Sequence, residues 1–133
     1  MKKMKWGGGL SSFYSKNLVA AALKISSEAC GVSPRRLTTN TRAAKVAFAR
    51  QLAMYLCHVV GDMSLRDVAA AFGRDRTTVS HACHAIEDRR DCPLYDKQIE
   101  YLEARLRDSV REIIDEALQL GGRLETKSLS LIA

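Results

Sequence analysis

Two short amphipathic segments separated by one glycine constrain the fold of this chain most strongly. They lie within residues 64–88, SLRDVAAAFGRDRTTVSHACHAIED. Ser64, followed by Asp67 three residues later, is a helix-capping pattern, and Gly73 suits the left-handed residue that ends a helix. Asp75 predicts the N-cap of a second helix, because its carboxylate can accept backbone N–H bonds. Two helices joined by a tight turn that contains glycine are the plan of a helix-turn-helix.

The spacing of residues within these two helices supports the same plan. Ala69 is small enough for the helices to approach closely, and Val79 would anchor the second helix, predicted over about 76–90, in the core. The opposite face of the second helix is polar. Short hydroxyls, Arg and His near a helix N-terminus suit contact with base edges and phosphates in the DNA major groove. The residues of this polar face are Arg76, Thr77, Ser80, His81 and His84.

The remainder of the chain predicts further helices and no strand. Apolar residues recur at helical spacing, and nowhere do they alternate with polar ones in the manner of a strand. We therefore expect an all-α domain with a long C-terminal amphipathic helix, which Gly121-Gly122 should end. The predicted helices cover about 15–30, 42–60 and 95–120, with a short turn opened by Ser33-Pro34 after the first of them.

Length and glycine content set the expected domain boundaries. A chain of 133 residues fits one domain. The run Gly7-Gly8-Gly9 is costly to order, so we expect residues 1–12 to form a flexible tail. The folded domain is then expected over 13–121, followed by a C-terminal tail over 122–133.

Charge is divided unevenly between the two halves of the chain. Residues 1–60 carry ten Lys or Arg and one acidic residue, whereas residues 61–133 carry eleven and fourteen, and the whole chain has a net charge of +6. A basic half favours a polyanionic partner. The long predicted helix carries seven acidic and four basic residues, so we expect it to face away from that partner.

Several other classes of protein are disfavoured by what the sequence lacks. The four cysteines form no C-x-x-C pair, so we expect free thiols and no metal site, although His81 and His84 flank Cys83. No paired carboxylates or nucleophile with a base occupy a plausible site, so we expect neither an enzyme nor a cofactor. No apolar run of 18 residues and no signal-peptide pattern occur, which favours a cytoplasmic protein without a membrane span.

Two separated motifs resemble those of a known family. Residues 74–82, RDRTTVSHA, are similar to the signature of the DNA-binding domain of DnaA, the bacterial replication initiator. Residues 49–56, ARQLAMYL, resemble the helix that precedes it, and Arg42 stands where the family has its basic-loop arginine. The resemblance covers about residues 18–113. It departs from the family in having one glycine, Gly73, where two are usual.

The resemblance implies a helix-turn-helix domain that binds double-stranded DNA at DnaA boxes. It implies that Thr77, Thr78 and His81 contact bases in the major groove. It also implies that Arg42 reaches into the adjacent minor groove. Arg76 replaces the histidine that usually follows the aspartate of the signature.

The resemblance further implies a set of residues on the phosphate backbone. Arg50, Gln51 and the helix start at Ser64–Arg66 would contact phosphates, while Asp75 would make a contact or orient its neighbours. Together with the polar face, this gives the expected DNA-binding residues: Arg42, Lys45, Arg50, Gln51, Ser64, Arg66, Arg74, Asp75, Arg76, Thr77, Thr78, Ser80, His81 and His84.

Two functions of different classes follow from these patterns. The first is a nucleoid-associated protein that binds specific DNA sites and regulates replication initiation or transcription. It would do so without ATPase activity, since no G-x-x-x-x-G-K-[ST] phosphate loop occurs. The second is an adaptor that binds replication or regulatory proteins through the helix over 95–120, whose apolar stripe could also form a homodimer. That stripe would be unavailable if the helix packs on its own domain.

Overall fold

The computed structural model describes residues 8–39 and 41–132, with side chains over 12–39 and 41–121. This part of the chain contains six α-helices and no strand, which confirms the all-α expectation. None of these helices combines the length and the apolar character needed to span a bilayer. The helices are α1 (Gly8–Cys30), α2 (Pro34–Leu37), α3 (Ala44–Val59), α4 (Leu65–Phe72), α5 (Arg76–Arg89) and α6 (Pro93–Ile132).

The core forms around α3. Every residue from Leu52 to Cys57 is buried, so this stretch is enclosed on all sides rather than along one stripe. α1 and α5 both pack on α3, and α6 packs along α1. α4 packs against both α3 and α5, and so carries the turn that leads into α5.

The turn chemistry between α4 and α5 follows the sequence closely. The Asp67 amide donates to Ser64 Oγ at 3.0 Å, and Gly73 ends α4 in the left-handed conformation with φ of +62°. Both predictions are confirmed. Asp75 is the N-cap residue of α5, but its carboxylate makes no capping hydrogen bond; its backbone carbonyl accepts from the Val79 amide instead. The expected side-chain cap at Asp75 is therefore wrong.

Gly61 is required by a close approach between α1 and the end of α3. The Tyr14 hydroxyl donates to the Gly61 carbonyl at 2.8 Å. A Cβ atom on Gly61 would overlap the Leu18 side chain and the Cys57 carbonyl. α3 ends at Val59, just before Gly61, as predicted. Because Gly61 has no side chain, Leu18 of α1 can pack directly against its backbone.

Both long helices extend past their predicted ends. α1 begins at Gly8 and so runs across the expected boundary at residue 12, while residues 1–7 lie outside the described part of the chain. α6 continues through Gly121-Gly122 to Ile132, so the prediction that this pair ends the helix is wrong. A glycine costs only about 1 kcal/mol in a helix interior, which an already nucleated helix can absorb.

The apolar stripe of α6 is used within the domain. Over the side chains that the structure describes, its packing extends as far as Ala117, and the following Leu118 and Leu120 are 59% and 40% exposed. The stripe is thus largely unavailable to a partner. The buried residues are Ile99, Leu102, Leu106, Ile113 and Ala117.

Candidate nucleic-acid interface

α5 presents one apolar face and one polar face, as the sequence predicts for a recognition helix. Val79, Ala82, Cys83 and Ile86 are buried against the rest of the domain. The predicted base-contacting side chains lie on the opposite surface. Arg76, Thr77, Thr78, His81 and His84 are exposed there, and Ser80 is half-buried.

The N-terminus of α5 is open to an anion. No side chain caps the first turn of the helix, and Asp75 is exposed. The first-turn N–H groups of a helix lack partners within the helix and carry the positive end of its dipole. A phosphate oxygen can therefore accept from this end of α5.

A basic loop lies between α2 and α3. Arg42 in this loop and Lys45 in the first turn of α3 are both exposed. Leu37, the last residue of α2, is buried beneath the loop with Val46 and Ala49 of α3. The base of the loop is thus fixed by packing, while Arg42 within it and Lys45 beside it are exposed.

Arg50 and Arg74 bind the backbone of this loop. Arg50 Nε donates to the Leu37 carbonyl at 2.9 Å, and its Nη2 donates to the carbonyls of Thr39 and Thr41 at 2.8 and 3.1 Å. Arg74 Nη2 donates to the same Thr39 carbonyl at 2.8 Å. The expected phosphate contact of Arg50 stays a prediction, and the structure adds a second use for its guanidinium.

The other expected contact residues are spread over three helices. Gln51 is half-buried on α3, and Arg66 is exposed in the first turn of α4. Ser64 uses its hydroxyl oxygen as the cap of α4, which leaves the hydroxyl proton to donate. His84 Nδ1 lies 3.8 Å from Glu87 Oε2, a loose contact between two exposed side chains.

Sequence reasoning missed Thr39. Its contribution is a backbone carbonyl, and nothing in the residue's identity shows that two arginines from distant parts of the chain converge on it. The Thr39 hydroxyl donates to the Arg36 carbonyl at 2.7 Å and so helps to end α2.

The cluster of His81, Cys83 and His84 does not have the geometry of a metal site. Cys83 faces the core, while both histidines are exposed. Burial raises the pKa of the Cys83 thiol to about 11, and metals bind the thiolate. Over the side chains that the structure describes, no group of three or more potential ligands could hold a metal ion.

Comparison with known families agrees with this arrangement of helices. The family described as bacterial dnaA protein helix-turn-helix matches residues 19–86, which is more than half of the chain. The chain belongs to this DnaA helix-turn-helix family. The match spans part of α1, all of α2, α3 and α4, and most of α5, and it includes the Arg42 loop.

Its DnaA relatives are much longer proteins. The chain is 37% identical over 95 residues to the chromosomal replication initiator protein DnaA of Symbiobacterium thermophilum, covering 69% of this chain and 21% of that protein. It is 36% identical over 66 residues to DnaA of Tropheryma whipplei strain Twist, covering 50% and 14% respectively. The chain therefore spans about a fifth or less of the DnaA relatives it matches.

The fold also matches a solved structure. A crystal structure of a DNA replication initiation factor superposes with a TM-score of 0.68 at 27% sequence identity, covering 75% of this chain and 31% of that chain. The resemblance to the DNA-binding domain of DnaA is thereby confirmed over residues 19–86, and its expected extension to residue 113 stays a prediction.

Proposed function

We propose that this DnaA-family domain binds specific sites on double-stranded DNA and thereby regulates replication initiation or transcription. The observation that carries the proposal is the exposed polar face of α5 beside the basic loop. Arg74, in the turn before α5, donates to the Thr39 carbonyl of that loop, so the two surfaces are joined directly. A helix and an adjacent basic arm can enter neighbouring grooves of one duplex.

The proposed contacts divide by the kind of information they read. Thr77, Thr78 and His81 contact base edges in the major groove, where each base pair shows a distinct pattern of donors and acceptors. Arg42 enters the minor groove. The residues that position the domain on phosphates or support base contacts are Lys45, Gln51, Ser64, Arg66, Asp75, Arg76, Ser80 and His84.

The target we propose is a DnaA-box-like sequence. The relatives are named as chromosomal replication initiators, and the shared region is their helix-turn-helix. We infer a non-enzymatic role in which this domain occupies sites that an initiator also uses, because the region shared with the initiators is their helix-turn-helix. Such a role places the protein on the nucleoid in the cytoplasm.

An unbiased selection of bound duplexes tests this proposal. Purified protein is incubated with random-sequence duplex DNA, and the bound sequences are read after several rounds. We expect one motif to be enriched, and a motif close to the DnaA box would identify the shared site. Failure to enrich any motif over input DNA would contradict sequence-specific binding.

Salt dependence tests the backbone contacts separately. About six phosphate contacts predict a slope of roughly −5 in a plot of log K against log salt concentration. A slope near zero would show that the basic surface does not neutralise phosphates.

The alternative function, an adaptor acting through α6, has less support in the structure. The apolar stripe that favoured it is buried up to Ala117, mainly against α1. Leu118 and Leu120 are the exposed apolar residues that follow it on the described surface of α6. Light scattering measures the oligomeric state of the full chain and of its Leu118→Asp/Leu120→Asp variant, which tests whether the exposed end of α6 forms a contact between proteins. A dimer lost in the variant, with no DNA motif enriched, would favour the adaptor.

A further inference from the structure

The two arginines that converge on Thr39 come from different parts of the DNA-binding surface. Arg50 lies on α3, next to Ala49, which is buried, so its backbone is anchored in the core. Arg74 follows Gly73 in the turn that leads into α5. Their Nη2 atoms donate to one oxygen, each at 2.8 Å.

These hydrogen bonds hold the backbone of the loop between α2 and α3 in one conformation. Arg50 also donates to the Leu37 and Thr41 carbonyls, so one planar guanidinium spans the loop from the end of α2 to the residue before Arg42. Hydrogen bonds from a charged donor are stronger than those between neutral groups. The loop conformation is therefore set by residues that lie outside it.

Bringing two guanidinium groups together has an electrostatic cost. Partial burial and, after it, the nearby Arg74 cation lower the pKa of Arg50 from its ordinary value. Two like charges converge only where something compensates them, and here the shared carbonyl oxygen does so. The shared Thr39 carbonyl thus connects the loop to the turn between α4 and α5, although the two guanidinium groups repel each other.

We propose that Arg50 and Arg74 are positioning residues that fix Arg42 relative to α5, and so set the register between the minor-groove and major-groove contacts. This inference rests on the proposed function. In it the two arginines hold the loop in position, in addition to any contact that they make with phosphates. A loop held in its bound form before binding loses less entropy on the DNA. Selectivity in the minor groove then depends on two side chains that need not touch a base.

Arginine-to-lysine substitutions separate positioning from phosphate contact. Lysine keeps the charge and binds phosphate as a point charge. It lacks the planar fork with which Arg50 reaches three carbonyls, and it lacks the guanidinium Nη2 with which Arg74 reaches the Thr39 carbonyl. If Arg50 and Arg74 only bind phosphates, then Arg50→Lys and Arg74→Lys should behave much like the wild type. If they position the loop, both variants should lose minor-groove selectivity. Arg107→Lys, on the exposed surface of α6, is the control.

Inosine-containing duplexes make minor-groove selectivity measurable. Starting from a duplex enriched by selection, each A·T pair is replaced singly by G·C and by inosine·cytosine. The two replacements look alike in the major groove, and only guanine places an amino group in the minor groove. The ratio of their affinities therefore reports readout of the minor groove alone. For the wild type we expect a ratio of about tenfold at the pair that Arg42 contacts.

The full-length variants are then compared on these duplexes, after circular dichroism melting has shown that they are folded. We expect the tenfold ratio to fall below about threefold in Arg50→Lys and Arg74→Lys, while major-groove discrimination and the salt slope stay unchanged. An unchanged ratio in both variants would overturn the inference. So would a uniform loss of affinity on all duplexes that leaves the ratio at about tenfold, the mark of a weakened phosphate contact.

A measurement without DNA distinguishes failure of this inference from failure of the proposed function. Urea unfolding of Arg50→Lys, Arg74→Lys and the double variant forms a double-mutant cycle. We expect the two positions to be coupled, because they share the Thr39 carbonyl. If the wild type enriches no DNA motif but the coupling is present, the proposed function is wrong and the two arginines serve the fold alone. Additive effects would remove the structural basis of the inference.

Discussion

Arg90, immediately after the recognition helix, donates from Nη1 to Glu103 Oε1 on α6 at 2.8 Å. The same nitrogen donates to the Tyr55 hydroxyl at 2.8 Å, and Nε donates to Asp96 Oδ1 at 2.6 Å. Glu103 is only 5% exposed. The hydrogen bond to Asp96, ahead of those to Tyr55 and Glu103, raises the pKa of Arg90 above its ordinary value. One cation thus joins the end of α5 to α3 and α6.

Arg90→Met is expected to destabilise the domain by about 2–3 kcal/mol, because it leaves the Glu103 carboxylate buried without its cation. The effect should be below that of a fully buried pair, since the Arg90 side chain is 27% exposed. The urea midpoint followed by circular dichroism measures it. Adding Glu103→Leu should recover part of the loss, because it removes the stranded charge.

Arg111→Met is the matched control for Arg90→Met. Arg111 pairs with Asp108 at 3.7 Å, but both side chains are more than 70% exposed. Exposed pairs of this kind contribute little to stability. Equal urea midpoints for Arg90→Met and Arg111→Met would contradict the structural importance of the Arg90 network.

Three glycine-to-alanine changes should have three different effects on stability. Gly73→Ala meets no atom within 4 Å, so only the strain of φ +62° opposes it, about 1–2 kcal/mol. Gly61→Ala should cost more, because its Cβ would overlap the Cys57 carbonyl, which cannot move independently of α3. Gly121→Ala should stabilise by about 1 kcal/mol, since it lies in open space within α6. Thermal melts of the three variants rank them, and any other order would contradict this account.

Burial of two thiols should make the domain less stable in alkali. Burial raises the pKa of Cys57 to about 12 and that of Cys83 to about 11, against 9.0 for the unperturbed thiol. The unfolded chain therefore loses these protons first, and stability falls as the pH rises above about 9. Urea midpoints at pH 7.5, 9 and 10 measure the trend. Cys57→Ala should flatten it, whereas Cys92→Ser, at an exposed thiol, should not.

Arg42→Ala and Thr77→Val should weaken DNA binding in different ways. Arg42→Ala removes a cation next to the duplex and should reduce affinity for every DNA sequence, and it should also remove the minor-groove selectivity expected at the pair that Arg42 contacts. Thr77→Val keeps the charge and shape but loses the hydroxyl, so it should lower discrimination between sites by about 1–3 kcal/mol. Fluorescence anisotropy on selected and scrambled duplexes measures both. Arg107→Ala, on α6, removes one positive charge as Arg42→Ala does, and so controls for the change in net charge alone. Unchanged binding in both variants would refute the contact assignment.

The features that the sequence predicted correctly are those governed by local rules. The cap at Ser64, the left-handed Gly73 and the buried side of α5 depend on a few neighbouring residues, and each was found where it was expected. Asp75 shows the limit of such rules: it is at the N-cap position, but its carboxylate does not bond there.

The features that sequence reasoning missed depend on contacts between distant residues. Arg50 was expected to face DNA because its type and place match the family motif. Only the fold shows that its guanidinium binds the carbonyls of Leu37, Thr39 and Thr41. Gly121-Gly122 was expected to end α6, because glycine is common at helix ends. The propensity of one residue pair does not decide where a long helix ends when the turns before it are packed.

The length of α6 carries its C-terminal end far from the rest of the domain. Forty residues at 1.5 Å per residue make a rod about 60 Å long. Residues 118–132, which follow Ala117, the last buried position among the described side chains, account for about 22 Å of it. Since each residue also turns the helix by about 100°, a single insertion there would swing the far end to another side of the axis. The number of residues in α6 therefore sets both the reach and the angular phase of its C-terminal end relative to α5.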